Sequence, residues 1–77
     1  MNYYDQVVAV VNDYLGPAAE RFISHQLEFH LDREENIINA EEIPRIIEWV
    51  RVGLGLLTRD KQLVNECAER MVAVGAS

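Results

Sequence analysis

The sequence predicts an all-α protein, a compact antiparallel four-helix bundle, and three observations carry that prediction. Apolar residues recur at intervals of three and four along most of the chain, the repeat of one helix face. The pattern breaks at recognisable helix punctuation: Leu15-Gly16-Pro17, the polar run Asp32 to Asn36, and Thr58-Arg59-Asp60. The four segments so delimited are about 12–16 residues long, and the short links between them are those of helices that pack back on their neighbours. No internal repeat or low-complexity stretch interrupts this organisation, so residues 1–77 read as a single helical domain.

The first segment covers residues 2–15, where Tyr3, Val7, Val10, Val11 and Tyr14 share a face. Gly16 suits a helix cap, and Pro17 suits a first turn, where its missing N–H is no loss, so the second helix is expected to start at Pro17. Its apolar face runs through Ala19, Phe22, Ile23, Gln26 or Leu27, His30 and Leu31. The connection Asp32-Arg33-Glu34-Glu35-Asn36 carries no apolar period, and Ile37 and Ile38 are expected to tuck it against the core. Asn39 and Glu42 have capping-box spacing, but Pro44 would break a backbone bond of a helix already under way. The conflict is resolved by one short turn before Pro44, followed by a helix. Ile43, Ile46, Ile47, Val50, Leu54 and Leu57 supply that third stripe. Thr58 is expected to cap a fourth helix, with Asp60 in its positive first turn; Leu63, Val64, Cys67, Met71 and Val74 face inward and Gly75 stops it.

Composition narrows the function. Hydrophobic residues make up 49% of the 77, and a chain this short buries only roughly 60–65% of its unfolded surface, so self-association would help it. Seven Lys and Arg stand against 13 Asp and Glu, a formal charge of −6 that repels phosphate backbones and anionic membranes. Arg45, Arg51, Arg59, Lys61 and Arg70 are spread over two helices, so no nucleic-acid face forms. The start of the chain lacks a basic region, and the apolar run Val7 to Val11 is too short for a signal core or a membrane span. With Cys67 as the one cysteine there is no internal disulfide, and a cytoplasmic location is the expectation.

No set of residues assembles into a catalytic centre. Ser24 and His25 are adjacent, and neighbours on a helix point about 100° apart, so the imidazole cannot serve the hydroxyl as base. Cys67 sits in an apolar stripe, the place of a small buried hydrophobe rather than of a reactive thiolate. His25 and His30 are five apart, about 140° around the axis, which is the wrong spacing for two ligands of one ion. A calcium-loop alignment with Glu42 as the last ligand puts Leu31 and Arg33 at oxygen positions and Asn36 at the turn glycine. Shifting by one restores Asp32 but ends on Glu41 with Glu35 at the turn. Gly53-Leu54-Gly55 has neither a preceding strand nor a suitably placed lysine for a phosphate loop; a close helix approach accounts for it, or a local kink. The sequence therefore predicts no catalytic residue, no metal and no cofactor.

The third helix carries more apolar residues than one buried face holds. Trp49, Val52 and Leu56 lie outside its inner stripe, and with Arg45 and Glu48 they form a second face. Trp and Arg together are frequent interface anchors. The alternative is that Trp49 caps one end of the core.

The segment Tyr14-Leu15-Gly16-Pro17-Ala18-Ala19, continuing through a helix that ends near Leu31 and a polar link into Ile46-Ile47-Glu48-Trp49, resembles small helical modules at the ends of bacterial, especially cyanobacterial, signalling proteins. About half the chain is covered, and Leu15-Gly16-Pro17-x-Ala19 is the sharp element. The resemblance implies an interaction role in signalling and brings no catalytic residues. Size and acidity also resemble the acyl carrier proteins, but Ser24, the one internal serine, lies within a helix in Ile23-Ser24-His25 and lacks that family's Asp-Ser-Leu motif. The expected function is thus a non-enzymatic interaction or self-association module contacting a homodimer partner or a larger protein through Arg45, Trp49, Val52 and Leu56, with no nucleic acid and no membrane involved. The alternative is a small-ligand or acyl-carrier-like helical domain.

Overall fold

The structure is a computed structural model that describes residues 2–32 and 36–76, and among these every regular element is helical. Helix α1 spans Tyr4–Leu15 and α2 spans Ala19–Leu31, joined by a 3₁₀ turn over Gly16–Ala18. A second 3₁₀ turn, Ala40–Glu42, leads into α3 (Ile43–Leu57), and α4 covers Lys61–Ala76. Because each 3₁₀ turn adjoins its helix directly, the helical backbone forms three continuous runs: 4–31, 40–57 and 61–76. The all-α expectation holds at that level, with two of the expected four rods sharing one bent run.

Local chemistry accounts for the bends. Gly16 takes φ 66°, the left-handed region that a side chain disfavours, and its N–H donates to the Asn12 carbonyl while Pro17 enters the following turn. At the end of α2, Asp32 takes φ 49°, a conformation that Asp tolerates better than most residues, and returns its N–H to the Leu27 carbonyl. The N-terminus is held against residues 36–38. Asn2 Oδ1 accepts from the N–H groups of Tyr4 (2.9 Å) and Ile38 (3.0 Å), its Nδ2 donates to the Asn36 carbonyl, and Tyr3 N–H donates to the Ile38 carbonyl. The sequence pattern gave Asn2 no such part. As the spacing predicts, the Asn39 N–H donates to Glu42 Oε1 at 2.9 Å, and a short turn precedes Pro44, which stands in the first turn of α3.

The segments enclose one core. α1 lies against α2 and α4, and α3 packs extensively on α4 and more lightly on α2, within extents of 31 × 25 × 20 Å. Val7, Val11, Ile23, Leu27, Ile38, Ile46, Val50, Leu54, Cys67 and Met71 are fully buried, and among the described residues no charged residue joins them. Tyr4, which the period did not place inward, is buried with its hydroxyl lacking a hydrogen-bond partner.

Several expectations need correction. The second α-helix begins at Ala19, because Pro17 is taken up in the 3₁₀ turn. Thr58 ends α3 in an extended conformation instead of capping α4; Asp60 Oδ1 accepts from the Gln62 and Leu63 N–H groups, and Thr58 Oγ1 accepts from Asp60 N–H. Gly75 lies inside α4, where an added Cβ would come within 2.9 Å of Ile43 Cγ2, so its role is close packing and not termination. The close-approach explanation holds for Gly53, where a Cβ would overlap the Phe22 ring, and fails for Gly55, where it would meet open space. Leu57, Ile37 and His30, expected inward, are exposed, whereas Phe22 and Leu31 are half-buried.

Candidate functional site

The exposed apolar side chains of α2 and α3 converge. A groove of about 370 Å³ runs between these helices, walled by His25, Gln26, Phe29 and His30 on α2 and by Trp49, Val52, Gly53 and Leu56 on α3. Phe29 is 86% exposed, Leu56 84% and Val52 65%, while Trp49 is half-buried. Phe22 meets Gly53 toward one end and His30 meets Trp49 toward the other, so the two helices run in opposite directions along the groove.

Helical spacing builds the α3 wall. Residues 45, 49, 52 and 56 are separated by four, three and four positions and therefore share a face, turned away from Ile46, Val50 and Leu54. Of the residues predicted for interaction, Trp49, Val52 and Leu56 line the groove, and Arg45 is exposed one turn before Trp49. Trp49 is neither a simple cap of the core nor free in solvent. The His30 ring stacks on it with centroids 4.2 Å apart and planes 9° apart, and Phe29 meets His30 edge-on at 5.4 Å. This arrangement presents three aromatic rings in sequence along one rim.

The α2 wall is what sequence reasoning missed. Phe29 departs from the stripe of Ile23 and Leu27 by roughly 120–160° around the axis, and a phenylalanine so placed was the available signal; His30 lies only about 20–60° from that stripe and was expected inward. Glu28 and Asp32 belong to a second depression, which they line with His25 and Phe29, and Arg45 and Glu48 are exposed on α3; none of these four charged residues lines the α2–α3 groove. Among the described residues, the side chains of Glu28, Asp32, Arg45 and Glu48 make no ion pair or hydrogen bond.

The remaining chemical candidates are occupied by structure. Ser24 donates its hydroxyl hydrogen to Asn36 Oδ1 at 3.1 Å. Cys67 is fully buried, and burial pushes its thiol up to about 11 despite the opposing influence of Arg70. Arg70 pairs with Asp13 at 2.6 Å and lies over the Tyr14 ring, joining α4 to α1, and Arg51 donates to Asn65 between α3 and α4. His25 and His30 both line the groove, yet among the described residues no three His, Cys, Asp or Glu side chains gather as a metal site requires. The part of the calcium-loop alignment on Arg33, Glu34 and Glu35 lies outside the described residues. Among the described residues no helix is long and apolar enough to cross a membrane.

No family model matches this chain, and neither a curated protein nor a solved structure does.

Proposed function

We propose that this chain is a non-enzymatic protein–protein interaction or self-association module, a compact antiparallel four-helix bundle whose contact face is the α2–α3 groove. One observation carries the proposal: Phe29, Val52 and Leu56 hold large apolar surfaces in water around a single groove. Contiguous apolar exposure on a small protein is characteristic of contact sites, because folding alone gives no reason to leave it wet. Trp49, buttressed by His30, supplies the rigid anchor that such faces use, and Arg45 supplies a charged edge. A role in bacterial signalling accompanies the Leu15-Gly16-Pro17-x-Ala19 resemblance. The α2–α3 groove also has the volume of a small-ligand pocket, which keeps a ligand-carrying domain as the second reading. An intact mass from the native source carrying an adduct on Ser24 would favour that alternative.

The test compares the wild-type chain with Leu56→Asp as bait in pull-down mass spectrometry from the native source. Proteins retained by the wild type, further copies of the chain included, are expected to be lost by the variant. Identical retention by both baits would remove the groove from consideration as the contact face.

A further inference from the structure

We propose that the hollow at the α3–α4 corner binds a phosphate monoester, a small molecule carrying one phosphate group on an uncharged body, through Arg59, Lys61, Thr58 and Asn65. The site lies apart from the α2–α3 groove, with which it shares no lining residue, and it adds a ligand-binding activity to the contact-face reading.

The hollow has a volume of about 390 Å³, within the range of small-molecule pockets, and its polar side chains are set to donate. Arg59 and Lys61 both line it, and among the described residues neither side chain makes an ion pair or hydrogen bond. No carboxylate lines it: Asp60, between them in sequence, turns Oδ1 to the Gln62 and Leu63 N–H groups. In a chain with 13 Asp and Glu against seven Lys and Arg, this leaves a local positive spot on an acidic protein. The two neutral polar residues are biased the same way by their own partners. Arg51 Nη2 donates to Asn65 Oδ1 at 3.0 Å, and since a guanidinium can only donate, it fixes the amide oxygen toward itself and leaves the Nδ2 hydrogens free. Thr58 Oγ1 accepts from the Asp60 N–H, which leaves its hydroxyl hydrogen free to donate.

The number and charge of these donors select phosphate over carboxylate. A phosphate monoester carries about −1.5 to −2 charge at neutral pH and three strong acceptor oxygens, which two cations and two neutral donors match. A carboxylate brings a single charge and two oxygens. Gly55 is an independent observation. It lines the hollow from α3, and a Cβ there would meet open space, so packing within the chain gives no reason for a glycine that costs about 1 kcal/mol of helix propensity. Its bare backbone keeps the hollow wide where the body of an ester would rest, and Val64 offers that body an apolar contact from α4. A polynucleotide is disfavoured, because the net charge of −6 repels an extended phosphate backbone, whereas one phosphate group responds mainly to cations within a Debye length of about 8 Å. Arg59 and Lys61 stand in water, so binding is weak, with an expected Kd on the order of 0.1–1 mM.

The test is an amide NMR titration of the full chain with phenyl phosphate and with inorganic phosphate, each against sodium chloride at matched ionic strength. Phenyl phosphate is expected to shift the amides of Gly55, Thr58, Arg59, Lys61 and Asn65 saturably, and inorganic phosphate to shift the same amides with lower affinity. Arg59→Gln with Lys61→Gln should weaken phenyl phosphate binding by at least about tenfold. Asn65→Asp, which keeps an acceptor for Arg51 but exchanges the free donor for a carboxylate, should weaken it as well. Gly55→Ala should weaken it severalfold while stabilising the fold, a combination that a purely structural glycine does not give. The amide spectra themselves show that each variant is folded. Equal shifts from chloride and phosphate, no saturation by about 20 mM phenyl phosphate, or an affinity unchanged by the double glutamine variant overturns the site. Inorganic phosphate binding at least as tightly as phenyl phosphate overturns the assignment to an ester. None of these results touches the contact-face reading, which fails separately if Leu56→Asp retains every bound protein.

Discussion

Four residues set sharp physical expectations. Gly53 and Gly55 lie two positions apart in α3, and each forgoes about 1 kcal/mol of helix propensity relative to alanine. At Gly55 a methyl group would meet open space, so Gly55→Ala should raise the unfolding free energy by about 0.5–1 kcal/mol in urea titration. At Gly53 the methyl must displace the Phe22 ring, so Gly53→Ala should give no gain or a loss; equal gains at both positions would contradict the packing. Tyr4 buries a hydroxyl that makes no hydrogen bond of good geometry, since the nearby Ser24 hydroxyl donates to Asn36 instead; its pKa is raised by burial first and by Glu20 next, with the proximity of Ser24 opposing. Tyr4→Phe should therefore stabilise the protein by about 1 kcal/mol, and a loss of that size would show that the hydroxyl is satisfied. Cys67 titrates near 9 when free and is held at about 11 in the fold, with burial as the main cause. The folded state thus retains the proton more strongly. The stability this confers is fully present below pH 9 and is lost as pH rises toward about 11. Denaturation curves across that interval should fall more steeply for the wild type than for Cys67→Ala, and a disulfide-exchange reagent should react only as the protein unfolds.

At the scale of elements, the corner between α3 and α4 depends on one carboxylate. Asp60 Oδ1 accepts the N–H groups of Gln62 and Leu63 at 3.1 and 3.2 Å, two donors that the helix cannot satisfy itself. Asp60→Ala should cost about 1 kcal/mol in thermal or urea unfolding, whereas Thr58→Ala, which loses one acceptor for the Asp60 N–H, should cost less. The reverse order would restore Thr58 as the cap. The opposite end of α4 is fitted against the start of α3: Gly75 faces Ile43 closely enough that a side chain there would have to move it. Asn2 has a similar linking part at the N-terminus, since its one amide group bonds both the start of α1 and residues 36 and 38.

For the whole molecule, the division between core and contact face can be checked by two neighbouring leucines. Leu54 is buried and Leu56 is 84% exposed, though both belong to one apolar helix. Leu54→Asp places an unpaired carboxylate in the core and should abolish folding, while Leu56→Asp should change monomer stability by less than about 0.5 kcal/mol. Comparable losses from the two, measured at a concentration low enough to keep the chain monomeric, would mean that the groove is part of the protomer's own interior. The Asp13–Arg70 pair ties α4 to α1 at the surface, where such pairs contribute only about 0–1 kcal/mol, so the burial of Val7, Val11, Ile46, Leu54 and Met71 has to hold the segments together.

Local signals in the chain were sufficient for helix type, the approximate extent of each segment and most of the interior. Periodicity marks which residues can share a face, and Gly16, Pro17, Asn39 with Glu42 and Pro44 act on the backbone within a few residues of themselves. The exposed face of α3 was legible for the same reason, because Trp49, Val52 and Leu56 exceed what its inner stripe contains. Tertiary structure alone decided the rest. Whether Thr58 or Asp60 caps α4, whether Gly75 stops a helix or admits Ile43, and whether Leu57 and His30 turn inward all depend on where a neighbouring helix lies. The groove belongs to this second kind: its α2 wall is defined by the stack of His30 on Trp49, nineteen residues apart in sequence, and a period read along one helix contains no information about the face of another.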